Sequence, residues 1–206
     1  IPAGFTGVFG IKPTFGRAPV YPPSAMGTLS HVGPLTRTVE DAAMMLNIMV
    51  LPDPRDWHAL PYDPWDFRTG LDLGVRHLSV AFSPTLGYAK VDPEVAAIVA
   101  NAVKVFEDQG AMVEEVDPGF DDPMDMFNKH WFRGATRLID KQPQDRLGEM
   151  NPGLLAIAEE GRGYTIDDYM DAMDARVDLG RRMNLFHESY DLLITPTLAV
   201  PAFDVG

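Results

Sequence analysis

The stretch that most constrains the fold is residues 77–116, where two short strand-like runs flank a helix with both ends written into the sequence. Residues 77–82 alternate and carry β-branched character, which predicts a strand. Asp92 then offers a side-chain oxygen to the free amides of a first helical turn. Pro93 takes the first helical position, where a missing N–H leaves nothing unsatisfied. Val95, Ile98, Val99, Ala102 and Phe106 recur on one helical face, and Gly110 stands where a left-handed residue closes a helix. Residues 111–116 predict a second strand. A strand, helix and strand joined by short links imply parallel pairing and a right-handed crossover. The fold class that follows is α/β, with a mixed, largely parallel sheet covered by helices.

The remaining elements are expected around this unit. Thr38 caps a helix over residues 39–50, with Asp41 placed to reach back to its amide and Val39, Ala42, Ala43, Leu46 and Val50 along one apolar stripe. Residues 52–65 have no period and predict a loop. Residues 121–140 and 165–190 predict two more helices. The second follows a Thr165 cap with Asp168 three places on, and carries Ile166, Tyr169, Met170, Met173 and Val177 at helical spacing. Between them, residues 141–163 hold enough Pro and Gly to predict a loop around one short helix. Residues 191–195 predict a strand that stops at Pro196. Residues 1–37 are dense in Gly and Pro, which predicts short strands and ordered loops rather than long elements.

Bulk properties exclude several functions. At 206 residues, with 46% hydrophobic and 23% charged residues, the chain fits one domain over residues 1–206. A net charge of −13 without a Lys/Arg cluster disfavours nucleic acid and anionic membrane, because both would repel it. Without cysteine there is neither a disulfide framework nor a thiolate nucleophile. No apolar run approaches the roughly 18 residues of a membrane span. A reducing cytoplasm is the expected compartment.

Three ordered blocks carry a specific resemblance. The opening Ile1-Pro2-Ala3 runs into Gly10-Ile11-Lys12-Pro13-Thr14-Phe15-Gly16-Arg17. Gly33-Pro34-Leu35-Thr36-Arg37-Thr38-Val39 is followed by Asp41-Ala42. Asp191-Leu192-Leu193-Ile194-Thr195-Pro196-Thr197 precedes Pro201-Ala202. Together they resemble the amidase signature family, serine hydrolases that cleave carboxylic amides. The resemblance implies a serine–serine–lysine mechanism in which lysine acts as base through a bridging serine and a second serine attacks the carbonyl. It places that nucleophile in a Gly-Gly-Ser-x-Arg run, three positions before Ile1. A chain that opens on Ile-Pro-Ala is therefore expected to lie within a longer amidase domain, with its catalytic residues upstream and further sheet strands beyond Gly206. Those absent segments are the expected macromolecular partners, and a small-molecule amide the expected substrate. No cofactor is called for.

Within the chain, the resemblance points to the substrate pocket. The family's middle helices and the loop after its late Pro-Thr strand wall that pocket, which makes Phe127, His130, Trp131 and Thr197 the candidate substrate-binding residues. Other combinations are set aside. Gly4, Gly7 and Gly10 lack the Lys-Ser/Thr of a phosphate loop. Ser30 and His31 are adjacent on an extended segment, so their side chains are expected on opposite faces, without a nucleophile elbow. Lys12 is expected to be an ion-pairing surface or strand-edge residue. His130 and His187 stand alone, without metal-ligand spacing. His31 occupies the position where amidotransferase subunits of the family usually carry aspartate, which favours a free-standing amidase. The alternatives are an amidotransferase-type subunit working with partner chains, or a non-catalytic fragment.

Overall fold

In the computed structural model, which describes residues 1–204, the Gly-rich opening forms a short helix, α1 (Pro2–Thr6). Pro sits in its first turn and Gly7 ends it with φ 66°. This corrects the expectation of strands and loops alone, since glycines spaced around a proline leave room for one capped turn. The chain then pairs β1 (Phe9–Gly10) antiparallel with β2 (Leu35–Thr36). Between these strands runs an ordered loop with a 3-10 turn at Gly27–Leu29. Helix α2 (Val39–Met49) follows. Thr38 accepts the Asp41 amide at 3.1 Å, while Ala42, Ala43 and Leu46 are buried and Val39 stays exposed at the rim.

The aperiodic stretch after α2 is held by side-chain-to-backbone bonds. Asn47 donates to Asp66 at 2.7 Å and accepts the Phe67 amide at 2.9 Å. Asp56 accepts the Val20 amide at 2.8 Å and so ties the loop to the opening segment. Arg55 beside Asp53 holds that carboxyl down at about 2.

The central unit is β3 (Ser79–Phe82), α3 (Pro93–Asp108) and β4 (Met112–Glu115), joined later by β5 (Leu192–Ile194). Both outer strands pair parallel to β3, giving the order β4-β3-β5. The strand–helix–strand expectation is met at both ends of its helix: Asp92 accepts the Glu94 amide at 2.9 Å, and Gly110 has φ 90°. Two details differ. His77 has φ 70° and lies in the turn before the strand. Val80, Ala81 and Phe82 are all buried, because a central parallel strand is covered on both faces and need not alternate.

Helix α4 (Met124–Ile139) packs against α5 (Pro152–Arg162) and α6 (Ile166–Phe186). The stretch between α4 and α6 is more helical than expected, with a 3-10 segment at Gln144–Glu149 before α5. Asn151 caps α5 by accepting the Gly153 amide at 2.8 Å, with Pro152 in its first turn. Gly161 is there for packing: a Cβ at that position would stand 2.5 Å from Thr136 Oγ1. Thr136 in turn donates to the Ala158 carbonyl at 2.7 Å, and Ala135, Ile139 and Ala158 form the buried core of the pair. The capping box of Thr165 and Asp168 is present in full, but α6 ends at Phe186 rather than running to residue 190.

Helix α6 buries only Ala172. Its apolar stripe is open, with Ile166 71% and Val177 72% exposed and Met170 and Met173 also exposed. The described residues expose 13,902 Å². A compact monomer of this size exposes roughly 9,500 Å². Among the described residues no helix is long and apolar enough to cross a membrane.

Candidate functional site

Helix α4 sends its side chains in two directions. Phe127 and Trp131, one turn apart, stack with ring centroids 5.7 Å apart and planes at 17°, and both are exposed. His130 turns inward, is 5% exposed, and stands edge-on to Tyr169 of α6 at 5.0 Å. Its Nε2 is the one buried side-chain nitrogen or oxygen without a hydrogen-bond partner among the described residues. Burial pushes the ring below its ordinary value of 6.5; a hydrogen bond to the Ala172 backbone works against this, and the nearby Arg176 cation adds to it. The ring is therefore neutral at neutral pH.

His130 borders a groove of about 990 Å³ between residues 22–27, the inner face of α4 and the start of α6. Arg133 and Arg137 follow His130 around the same groove at helical spacing, and Lys141 joins them from past the helix end. Arg133 is committed to the Gly161 carbonyl at 3.0 Å. Asp140, a carboxylate at the groove, is paired with Arg162 at 2.6 Å. Among the described residues, Arg137 and Lys141 have no ion-pair partner. The groove is thus electropositive on a chain of net charge −13.

Pro23, Ser24 and Gly27 also wall a smaller cavity of about 50 Å³, bordered by Ser30, His31 and His58. Ser30 and His31 both border it, and Ser30 has extended backbone with φ −81° and ψ 127°. His31 Nδ1 bonds to the Leu29 carbonyl at 3.0 Å, and the Lys12 ammonium lies 3.4 Å from Nδ1 and 3.5 Å from Nε2. With Nδ1 as the donor, Nε2 is the acceptor that Lys12 reaches. Lys12 is thus paired to a histidine rather than to an acid. Burial, reinforced by the Arg176 cation, lowers its pKa. Arg176 itself donates to the hydroxyl of Thr28 and, at 2.9 Å, to its carbonyl.

Thr197 lies elsewhere, exposed on the loop after β5. That loop packs on α1: a Cβ on Gly4 would stand 2.8 Å from Leu198 Cδ1 and 3.5 Å from Thr197 Cγ2. Phe5 and Phe203 meet edge to face at 5.2 Å on the same contact. Of the four candidates, His130 borders the groove, Phe127 and Trp131 form their own stack, and Thr197 joins the end of the chain to its beginning. Tyr169, Arg137 and Lys141 were missed. The spacing of positions 130, 133 and 137 on α4 could have revealed Arg137, whereas Lys141 lies past the helix end at Ile139 and only the fold brings it to the groove. Among the described residues no histidine bonds a serine hydroxyl.

The whole chain, residues 1–206, matches the sequence profile of the family described as Amidase. It is 34% identical to an acylamidase of Rhodococcus erythropolis over 98% of this chain and 43% of that protein. It is 29% identical to a glutamyl-tRNA(Gln) amidotransferase subunit of Macrococcus caseolyticus over 100% of this chain and 48% of that protein. Among solved structures, a bacterial aryl acylamidase of the amidase signature family superposes with a TM-score of 0.85 at 27% identity, over 100% of this chain and 44% of that one. The chain thus spans less than half the length of these relatives.

Proposed function

The chain belongs to the amidase family, and from that premise we propose that it supplies scaffold and substrate-pocket wall to an enzyme that hydrolyses carboxylic amides. The observation that carries this reading is the seating of the Thr197 loop beside Gly4 on α1. In the family pattern the nucleophilic serine stands three positions before Ile1. The loop is therefore held next to the segment that would follow the attacking oxygen. Phe127, His130 and Trp131 on α4 complete the proposed wall.

The proposed mechanism is the serine–serine–lysine route. A lysine whose surroundings keep it uncharged takes a proton through a bridging serine, and the second serine attacks the amide carbonyl. Backbone N–H groups stabilise the oxyanion, and water then releases the acyl group. These parts belong to polypeptide outside residues 1–206, so the chain by itself is expected to be inactive. The same polypeptide is proposed to cover the open faces of α6 and of the sheet. The test is hydrolysis of acetanilide by the longer polypeptide that carries these residues. Replacing the serine of its Gly-Gly-Ser-x-Arg run by alanine should abolish aniline release, and undiminished release would overturn the mechanism.

A second reading, membership of a multi-subunit tRNA-dependent amidotransferase, is favoured by the match of the whole chain to such proteins. The pairing of Lys12 with His31, where those relatives usually carry an acid, weighs against it. Co-purification of further subunits from the native host would favour this second reading; acetanilide turnover without them would favour the first.

A further inference from the structure

We infer that the groove beside His130 takes an amide whose remote end is a carboxylate, with an N–H or O–H of the same molecule donated to His130 Nε2. This rests on the amide-hydrolase reading and names its substrate class. Three observations carry it. First, the imidazole is 95% buried and its Nε2 is bare. The bare nitrogen has no partner within the chain, and in the tautomer that leaves it a lone pair only a donor can satisfy it. Second, the charge at the groove is positive and uncompensated. Asp140 is already engaged by Arg162, while Arg137 and Lys141 have no counter-ion among the described residues. Third, the groove holds about 990 Å³ and has an apolar side in Tyr169 and Leu138, room enough for an aryl or alkyl spacer between donor and carboxylate.

The experiment uses the longer polypeptide that carries these residues. The probes are acetanilides bearing a para carboxylate directly or through a short methylene chain, each compared with the primary alcohol of equal length. At least one carboxylate should show a KM about tenfold below its alcohol, as two exposed cations acting together would give. Arg137→Gln and Lys141→Gln should each shrink that ratio about threefold through KM rather than kcat. His130→Phe should raise KM for the whole set, and His130→Gln, whose amide oxygen accepts, should recover it. Equal KM values for acids and alcohols, or a ratio unmoved by both cation variants, would overturn the inference; so would occupation of the groove by the rest of the polypeptide in a crystal structure. If no acetanilide is cleaved, the hydrolase reading fails by itself. Calorimetric binding of 4-phenylbutyrate then decides the groove: binding weakened by Lys141→Gln supports a carboxylate site, and no binding rejects it.

Discussion

The carboxylate of Asp191 accepts the amide of Ser79 at 2.8 Å across 112 positions of sequence, and the Asp191 amide returns to the Ser79 carbonyl at 2.8 Å. This pair clamps the entry of β5 to the entry of β3 and sets the register that carries Thr197 towards α1. Asp191→Ala should lower the unfolding free energy by about 1–2 kcal/mol, the cost of leaving the Ser79 amide without its charged partner. Asp191→Asn, which keeps an acceptor, should lose less. Denaturant unfolding of the longer polypeptide checks both.

Gly161 sits where α4 and α5 touch. A methyl group there would overlap the Phe132 backbone and the Thr136 hydroxyl. Gly161→Ala should destabilise by about 3 kcal/mol, because the Phe132 backbone cannot move aside as a side-chain tip could. Gly148 has open space around its Cβ position, and Gly148→Ala should stay within about 0.5 kcal/mol of wild type. The contrast between the two glycines in thermal unfolding is the test.

His130 gives a pH signature with a defined sign. Its folded pKa is depressed, so below its ordinary value of 6.5 the unfolded chain binds a proton that the folded chain refuses. The stability linked to this ring is present in full above 6.5 and is lost as pH falls from there through the folded value. Wild type should therefore lose more stability than His130→Gln between pH 7 and pH 5. Parallel loss in both proteins would show that the ring titrates normally.

The open stripe of α6 predicts association. With Ile166, Met170, Met173 and Val177 exposed, the 206-residue chain produced alone should self-associate, since contiguous apolar surface of this kind is an interaction face. Ile166→Glu with Val177→Glu should shift it towards monomer in light scattering. A well-behaved wild-type monomer would count against the proposal that further polypeptide covers this face.

Much of the fold was legible where structure is decided locally. Asp92, Pro93 and Gly110 announce both ends of α3 because caps are short-range chemistry, and Thr165 with Asp168 does the same for the start of α6. Helix α5 was under-read for an instructive reason: Gly153, Gly161 and Gly163 were counted as breakers, although Asn151 and Pro152 wrote its start. Gly161 answers to a neighbouring helix, which no local rule can see. The stripe on α6 was visible as a period, but a period says that a face is apolar without saying what lies against it. At the candidate site, His130 was identifiable as a residue, whereas its unpartnered nitrogen depends on Tyr169 and Ala172, some forty positions away.

The account's central claim is that this chain walls the pocket of an amide-cleaving enzyme whose attacking oxygen lies on polypeptide outside it. The most direct measurement is to label the longer polypeptide with a fluorophosphonate and locate the adduct by peptide mass spectrometry. The account predicts one modified serine, upstream of Ile1 in a Gly-Gly-Ser-x-Arg run. Modification of Ser24 or Ser30 instead, or an unlabelled protein that still releases aniline from acetanilide, would contradict it.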